Sequence, residues 1–239
     1  MLRFILSIFF CITGVANVHG GTPAVVPDTT AERVRACTIC HSAEDKAGRD
    51  AYYPRIAGKP QGYLFNQLRN FRDGRRYYQP MAILLENMSN EYLLEIAQYF
   101  SSLQLPYPAP EQIHMQPEEI KLAERLIYSG NPQKDIPACS ACHGDILMGI
   151  EPAIPGLLGL SRAYILAQLS GWRSGSIMRS RTPDCMSEIA RQLSDDEANA
   201  IAKWLASQSV SGEPRPFNVL SPELAHRCSQ IILENGGTK

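Results

Sequence analysis

Cys37-Thr38-Ile39-Cys40-His41 and Cys139-Ser140-Ala141-Cys142-His143 decide how this chain is read. Both are C-x-x-C-H, the attachment pattern of haem c. Two thiols three residues apart on a helical turn reach the two vinyl groups of one porphyrin. The next residue then points its imidazole at the iron. A single copy would leave a zinc site or a redox CxxC open. Two copies argue against both: a zinc site wants four such ligands in one place, and a thioredoxin-like motif needs a strand–helix surround that the sequence lacks. The pattern implies two covalent haems c, held by Cys37, Cys40, Cys139 and Cys142, with His41 and His143 as iron ligands.

The motifs belong to an internal repeat. Pro54-Arg55-Ile56-Ala57-Gly58 matches Pro155-Gly156-Leu157-Leu158-Gly159, and Tyr63-Leu64-Phe65-Asn66-Gln67-Leu68 matches Tyr164-Ile165-Leu166-Ala167-Gln168-Leu169, both at an offset of 101. The register runs on through Phe71-Arg72-Asp73-Gly74 and Trp172-Arg173-Ser174-Gly175. Each half therefore carries the same chemistry, and each iron needs a sixth ligand or an open site. Met81 precedes Ser89, and Met186 precedes Ser194, by the same interval. Each serine caps a helix, with Ser194 and Glu197 in capping-box spacing. Leu93, Ile96, Ala97 and Phe100 form one apolar face, repeated as Ala198, Ile201, Ala202 and Leu205. Met81 and Met186 are thus equivalent and are the axial candidates. Met88, Met115, Met148 and Met178 read as core filler, Met178 being the strongest rival. A His/Met pair fills both axial positions and raises the reduction potential, which suits electron transfer and leaves no vacancy for substrate.

Groups behind the ligands follow from the repeat. Pro54 and Pro155 lie where a loop returns a carbonyl to the histidine's other ring nitrogen, although two ordinary loop prolines would look the same. Arg72 and Arg173 end the middle helices and are candidates for pairing with haem propionates. Tyr63 and Tyr164 are candidates for packing on the haem edge. A structural surface role stays open for all four. Arg69, Arg72, Arg75 and Arg76, mirrored by Arg173, Arg179 and Arg181, read first as a solvated face with propionate pairing. The second reading is a docking patch for an acidic partner.

Composition agrees. The chain has 239 residues, 44% hydrophobic and 20% charged, with a net charge of −1, which argues against a nucleic-acid binder. Met1-Leu2-Arg3, the apolar run Phe4–Ala16 and Val18-His19-Gly20 read as a signal peptide over residues 1–20, implying export to the periplasm. The run is too short to span a bilayer, so no integral membrane segment is expected after cleavage, while peripheral membrane association stays open. Domain one is placed at 28–105, its opening helix starting near Asp28-Thr29-Thr30 with Cys37 at its end. A Pro-rich linker follows at 106–116, and domain two at 117–210, opening on Pro117-Glu118-Glu119. A tail at 211–239 holds a short helix between Ser221-Pro222 and Gly236-Gly237. No strand pattern is evident.

The two CxxCH repeats, each with P-x-[IL]-x-G, Y-L-x-x-Q-L or its close variant, an arginine–glycine helix end and M-x7-S before a terminal helix (the first closing on Tyr99-Phe100-Ser101-Ser102-Leu103), resemble the dihaem cytochromes c of the cytochrome c4 type. The resemblance covers roughly residues 30–210. It implies an all-α fold of two tandem class I cytochrome c domains related by a pseudo-twofold axis, each wrapped round a covalent haem c, with propionate edges facing across the interface. It also implies a periplasmic electron carrier rather than an enzyme, working with a terminal oxidase, a dehydrogenase or another cytochrome, and it supports His41/Met81 and His143/Met186 as axial pairs. Three features depart from the family: Ser42 in place of glycine after the first motif, extra residues with Arg179 and Arg181 before Met186, and the tail. Of the seven cysteines, Cys11 falls in the signal segment. The remaining two, Cys185 and Cys228, are expected to form a disulfide in the periplasm. The alternative function is a haem-containing subunit or enzyme of sulfur-compound oxidation, a thiosulfate or sulfide dehydrogenase, with Cys185 near the second haem as an iron ligand or sulfur-uptake site.

Overall fold

The computed structural model describes residues 27–41, 52–176 and 185–210. The signal segment with Cys11, Ser42, Met178, Arg179, Arg181 and the tail with Cys228 lie outside the described residues.

Local sequence accounts for most helix boundaries. Thr29 caps α1 (Thr30–Arg33), its hydroxyl accepting from the Glu32 N–H. The chain turns at Val34, and α2 (Arg35–His41) then carries the whole first CxxCH motif. Cys37 therefore lies inside a second short helix, not at the end of the opening one. The turn puts Val34, 1% exposed, into the first core. α3 (Gln61–Arg72) and α4 (Gln79–Leu85) follow. Ser89 caps α5 (Asn90–Ser102) through the Tyr92 N–H. Leu93, Ile96, Ala97 and Phe100, one stripe of α5, close on Val34, Leu64, Phe71 and Leu85.

The second repeat builds the same arrangement. α6 (Pro117–Tyr128) starts with proline at its first position, and the Glu119 carboxylate accepts from the Gln116 N–H. α7 (Cys139–His143) holds the second motif, followed by α8 (Arg162–Ser174), α9 (Cys185–Gln192) and α10 (Asp195–Ala206). The full capping box of Ser194 and Glu197 opens α10. α10 packs on α6 and α8, burying Leu126, Ile127, Ile201 and Leu205 in a second core.

One element has no sequence signature. β1 (Gly149–Ile150) and β2 (Ile154–Pro155) form a two-residue antiparallel hairpin between α7 and α8. It closes because Gly149 takes φ +98° and Gly156 lies against the Met148 backbone, where a Cβ would come within 2.6 Å of the carbonyl oxygen.

Arg76 joins α3 of the first repeat to α8 of the second. Arg76 donates to Gln67 Oε1 at 2.8 Å and to Gln168 Oε1 at 2.9 Å. These glutamines are equivalent in the repeat, so one guanidinium sits where a twofold relation brings matching positions together. Arg76 also reaches the Tyr164 hydroxyl at 3.2 Å, and Gly62 N–H donates to Pro152 O at 3.0 Å. The proline-rich segment between the repeats is pinned along its length. Arg55 lies over the Tyr107 ring at 4.1 Å, Glu111 N–H donates to Ala206 O, and Glu111 Oε1 accepts from Arg162 N–H. Among the described residues no helix is long and apolar enough to cross a membrane.

Candidate functional site: two haem attachment centres

Each centre starts from a short helix that sets cysteine and histidine spacing. Cys37, Cys40 and His41 share α2; Cys139, Cys142 and His143 share α7. All four sulfurs are thiols rather than disulfides. Cys37 and Cys139 pack against the first and second core respectively, and desolvation raises both thiols, Cys139 to about 12.

The histidines are held by carbonyls. His41 Nδ1 lies 2.9 Å from Pro54 O, and His143 Nδ1 lies 2.7 Å from Pro155 O. A carbonyl only accepts, so Nδ1 carries the proton in both rings and Nε2 keeps its lone pair for a metal. Burial pushes both rings down, His143 to about 4, outweighing the upward pull of the proline carbonyls. The rings are therefore neutral at physiological pH, the form that binds iron. Arg76 adds to the lowering at His41, and Lys59 adds to it at His143.

Met81 lies on α4 and packs against the first core; Met186 lies on α9 and packs against the second. Of the other methionines, Met148 is 5% exposed, Met88 packs on the first core and Met115 on the second. Tyr53 stands edge-on to His41 at 6.3 Å between centroids and continues to Tyr78 at 6.4 Å.

The donor set fits haem c: two thiols, a neutral imidazole with a free Nε2 and a thioether, repeated on two apolar cores. Arg55 Nε and Arg69 Nε are buried without an acceptor, donors of the kind a propionate carboxylate satisfies. Among the described residues no group of three or more His, Cys, Asp or Glu could hold a metal ion.

The remaining candidate residues have contacts of their own. Arg72 donates to Met88 O at 3.0 Å, Asn90 Oδ1 at 2.8 Å and Asp73. Arg173 binds Ala190 O, Ser194 O and Asp195. Both therefore clamp the end of a middle helix to the start of the terminal helix. Tyr63 packs on the first core, while Tyr164 is buried and takes its hydrogen bond from Arg76. Arg76, read in sequence as part of a solvated cluster, is only 8% exposed. It leaves that surface because glutamine and tyrosine acceptors and the Phe71 ring, 4.5 Å away, satisfy the guanidinium inside. Cys185 is 7% exposed and disulfide-bonded, so it offers no thiolate to iron or to a sulfur compound. Its expected partner Cys228 lies outside the described residues.

Sequence reasoning missed Lys59. It is 6% exposed and donates from Nζ to Gly156 O at 2.5 Å, beside the proline that holds His143. The available signal was its repeat partner: the matching position is Leu160.

No family model matches the chain. It is 38% identical over 178 residues to the thiosulfate dehydrogenase electron acceptor of Thiomonas intermedia, covering 74% of this chain and 80% of that one. It is 29% identical over 197 residues to cytochrome c4 of Pseudomonas aeruginosa, covering 81% and 92%. Among solved structures, reduced cytochrome c4 of Pseudomonas stutzeri superposes with a TM-score of 0.63 at 27% identity, over 74% of this chain and 96% of that one.

Proposed function

From the premise that this chain belongs to the dihaem cytochromes c of the cytochrome c4 and thiosulfate dehydrogenase electron acceptor type, we propose that it is a periplasmic shuttle taking electrons from a sulfur-compound dehydrogenase and passing them to a terminal oxidase or another cytochrome. The observation that carries the carrier role is the pair of neutral, carbonyl-held histidines, each on a CxxCH helix, each in a repeat with an equivalent methionine. The choice of donor rests on the printed role of the Thiomonas relative. The protein is an electron carrier and not an enzyme.

In this reading Cys37, Cys40, Cys139 and Cys142 form the thioethers. His41 and Met81 bind the first iron, His143 and Met186 the second. Haem supplies one-electron chemistry at iron; the chain supplies the rest. Pro54 and Pro155 fix the imidazole planes, the cores exclude water, and the His/Met set holds both oxidation states with little rearrangement. Residues 1–20 direct export, 28–105 and 117–210 are the haem domains, 106–116 joins them, and Cys185 pairs with Cys228 to hold the tail of 211–239 beside the second centre.

Absorption spectroscopy of the oxidised holoprotein tests the ligands. The weak iron–thioether band is expected from both haems. Half of it is lost in Met81→Ala and half in Met186→Ala, with none lost in Met88→Ala. Retention of the full band in Met186→Ala would overturn the assignment. Stopped-flow oxidation of a thiosulfate dehydrogenase by the wild-type protein tests the donor, and a rate no faster than with an unrelated cytochrome c would refute it.

A further inference from the structure

Lys59 is a charged side chain from the first repeat inserted into the second. Its ammonium is buried on the Gly156 carbonyl, next in sequence to the Pro155 carbonyl that accepts from His143. Its hydrogen bond goes to the neighbouring carbonyl and not to the His143 ring. Repeat symmetry does not return the contact: Leu160 stands at the matching position, so no equivalent cation enters the first centre from the second repeat. The chain holds Lys59 there at a cost, since burial and then Arg55 pull it down to about 7. The packing around its acceptor is close as well, Gly156 lying against Met148.

We propose that Lys59 is a positioning residue by which the first domain raises the reduction potential of the second haem. Reduction adds one electron to the iron, ferric to ferrous, with no bond made or broken. A positive charge on the Gly156 carbonyl, one residue from the carbonyl that holds His143, would favour the less positive ferrous state. The same charge, close to the Pro155 carbonyl, lessens the electron density that carbonyl lends to the imidazole, which acts in the same direction. The Lys59 charge acts on the second haem alone, since Leu160 stands at its matching position; the buried cation beside the first centre is Arg76, which lies outside the Lys59 contact. This inference rests on His143 and Met186 as the second iron's ligands.

The experiment is spectroelectrochemical titration of the holoprotein at pH 6, where Lys59 is protonated. The two haems are distinguished by the ferrous methionine methyl resonances, assigned with Met186→Ala. Lys59→Gln keeps a donor to Gly156 but no charge, Lys59→Met is a second charge-free variant, and Lys59→Arg restores the cation. At the wild-type midpoint of the second haem, the ferrous-to-ferric ratio is expected to fall on the order of tenfold in Lys59→Gln. That is about 59 mV for a one-electron couple. The first haem is expected to move less than twofold, and Lys59→Arg to stay within about twofold of wild type. An unmoved second haem, an equal shift of both haems, or an arginine variant matching glutamine would each overturn the proposal. A wild-type protein with one haem, or without the second thioether band, would instead refute the ligand reading beneath it.

Discussion

Arg76→Met tests how the two repeats are coupled. In the wild type the guanidinium makes two hydrogen bonds across the interface, to Gln168 at 2.9 Å and Tyr164 at 3.2 Å. Bonds from a charged donor contribute about 1.5–3 kcal/mol each, and the contact with Phe71 adds about 1 kcal/mol. Against this stands the desolvation of a cation, which is several kcal/mol and which methionine does not incur. The expected net loss is about 2 kcal/mol, most of it from the coupling between repeats rather than from either core. Denaturant unfolding of the holoprotein is followed separately at the two haems by their methionine methyl resonances. Wild type is expected to lose both together, and Arg76→Met to lose them at separate midpoints. A double-mutant cycle with Gln168→Leu isolates the pair, with a coupling of about 1–2 kcal/mol. Strictly additive effects, with both haems still lost at one midpoint, would show that Arg76 does not couple the repeats.

Other perturbations have equally definite outcomes. Ser194→Ala removes the acceptor for the Glu197 N–H and is expected to cost about 1 kcal/mol in urea unfolding, with Ser89→Ala similar in the first repeat. Burial tends to raise the Glu197 carboxyl, but hydrogen bonds from Lys134 and the Ser194 N–H hold it below the usual range. Its contribution is therefore complete above the unfolded value and lost as pH falls through the folded one. Glu197→Gln should flatten that part of the acid limb in a stability–pH curve, and an unchanged limb would count against it. Gly156→Ala drives a methyl to within 2.6 Å of Met148 O and is expected to cost about 3 kcal/mol by calorimetry, with the loss centred on the second haem.

Much of the site was legible in the chain because it depends on short-range spacing. The CxxCH helices, the carbonyls behind His41 and His143, and the serine caps at Ser89 and Ser194 each involve residues linked by one turn or one loop. Repetition then strengthened each reading by giving it twice. The apolar face of α5 followed from periodicity alone. The contacts of Arg72 and Arg173 were not legible, because a helix-end arginine reaches several acceptors and sequence does not rank them. The break at Val34 was likewise hidden, since the first core, not propensity, draws that side chain inward.

The sequence by itself determined that this protein is a duplicated, covalently haem-bearing carrier, since thiol and imidazole spacing along one helix suffices for that. Only the tertiary structure decided which cations are buried and where. Arg76 and Lys59 look like surface residues until the second repeat presents Gln168, Tyr164 and Gly156 O to them. Burial of a charge depends on acceptors that are distant in sequence and brought close by the packing of the two repeats. The asymmetry between the two centres, invisible in matching motifs, therefore resides in the interface.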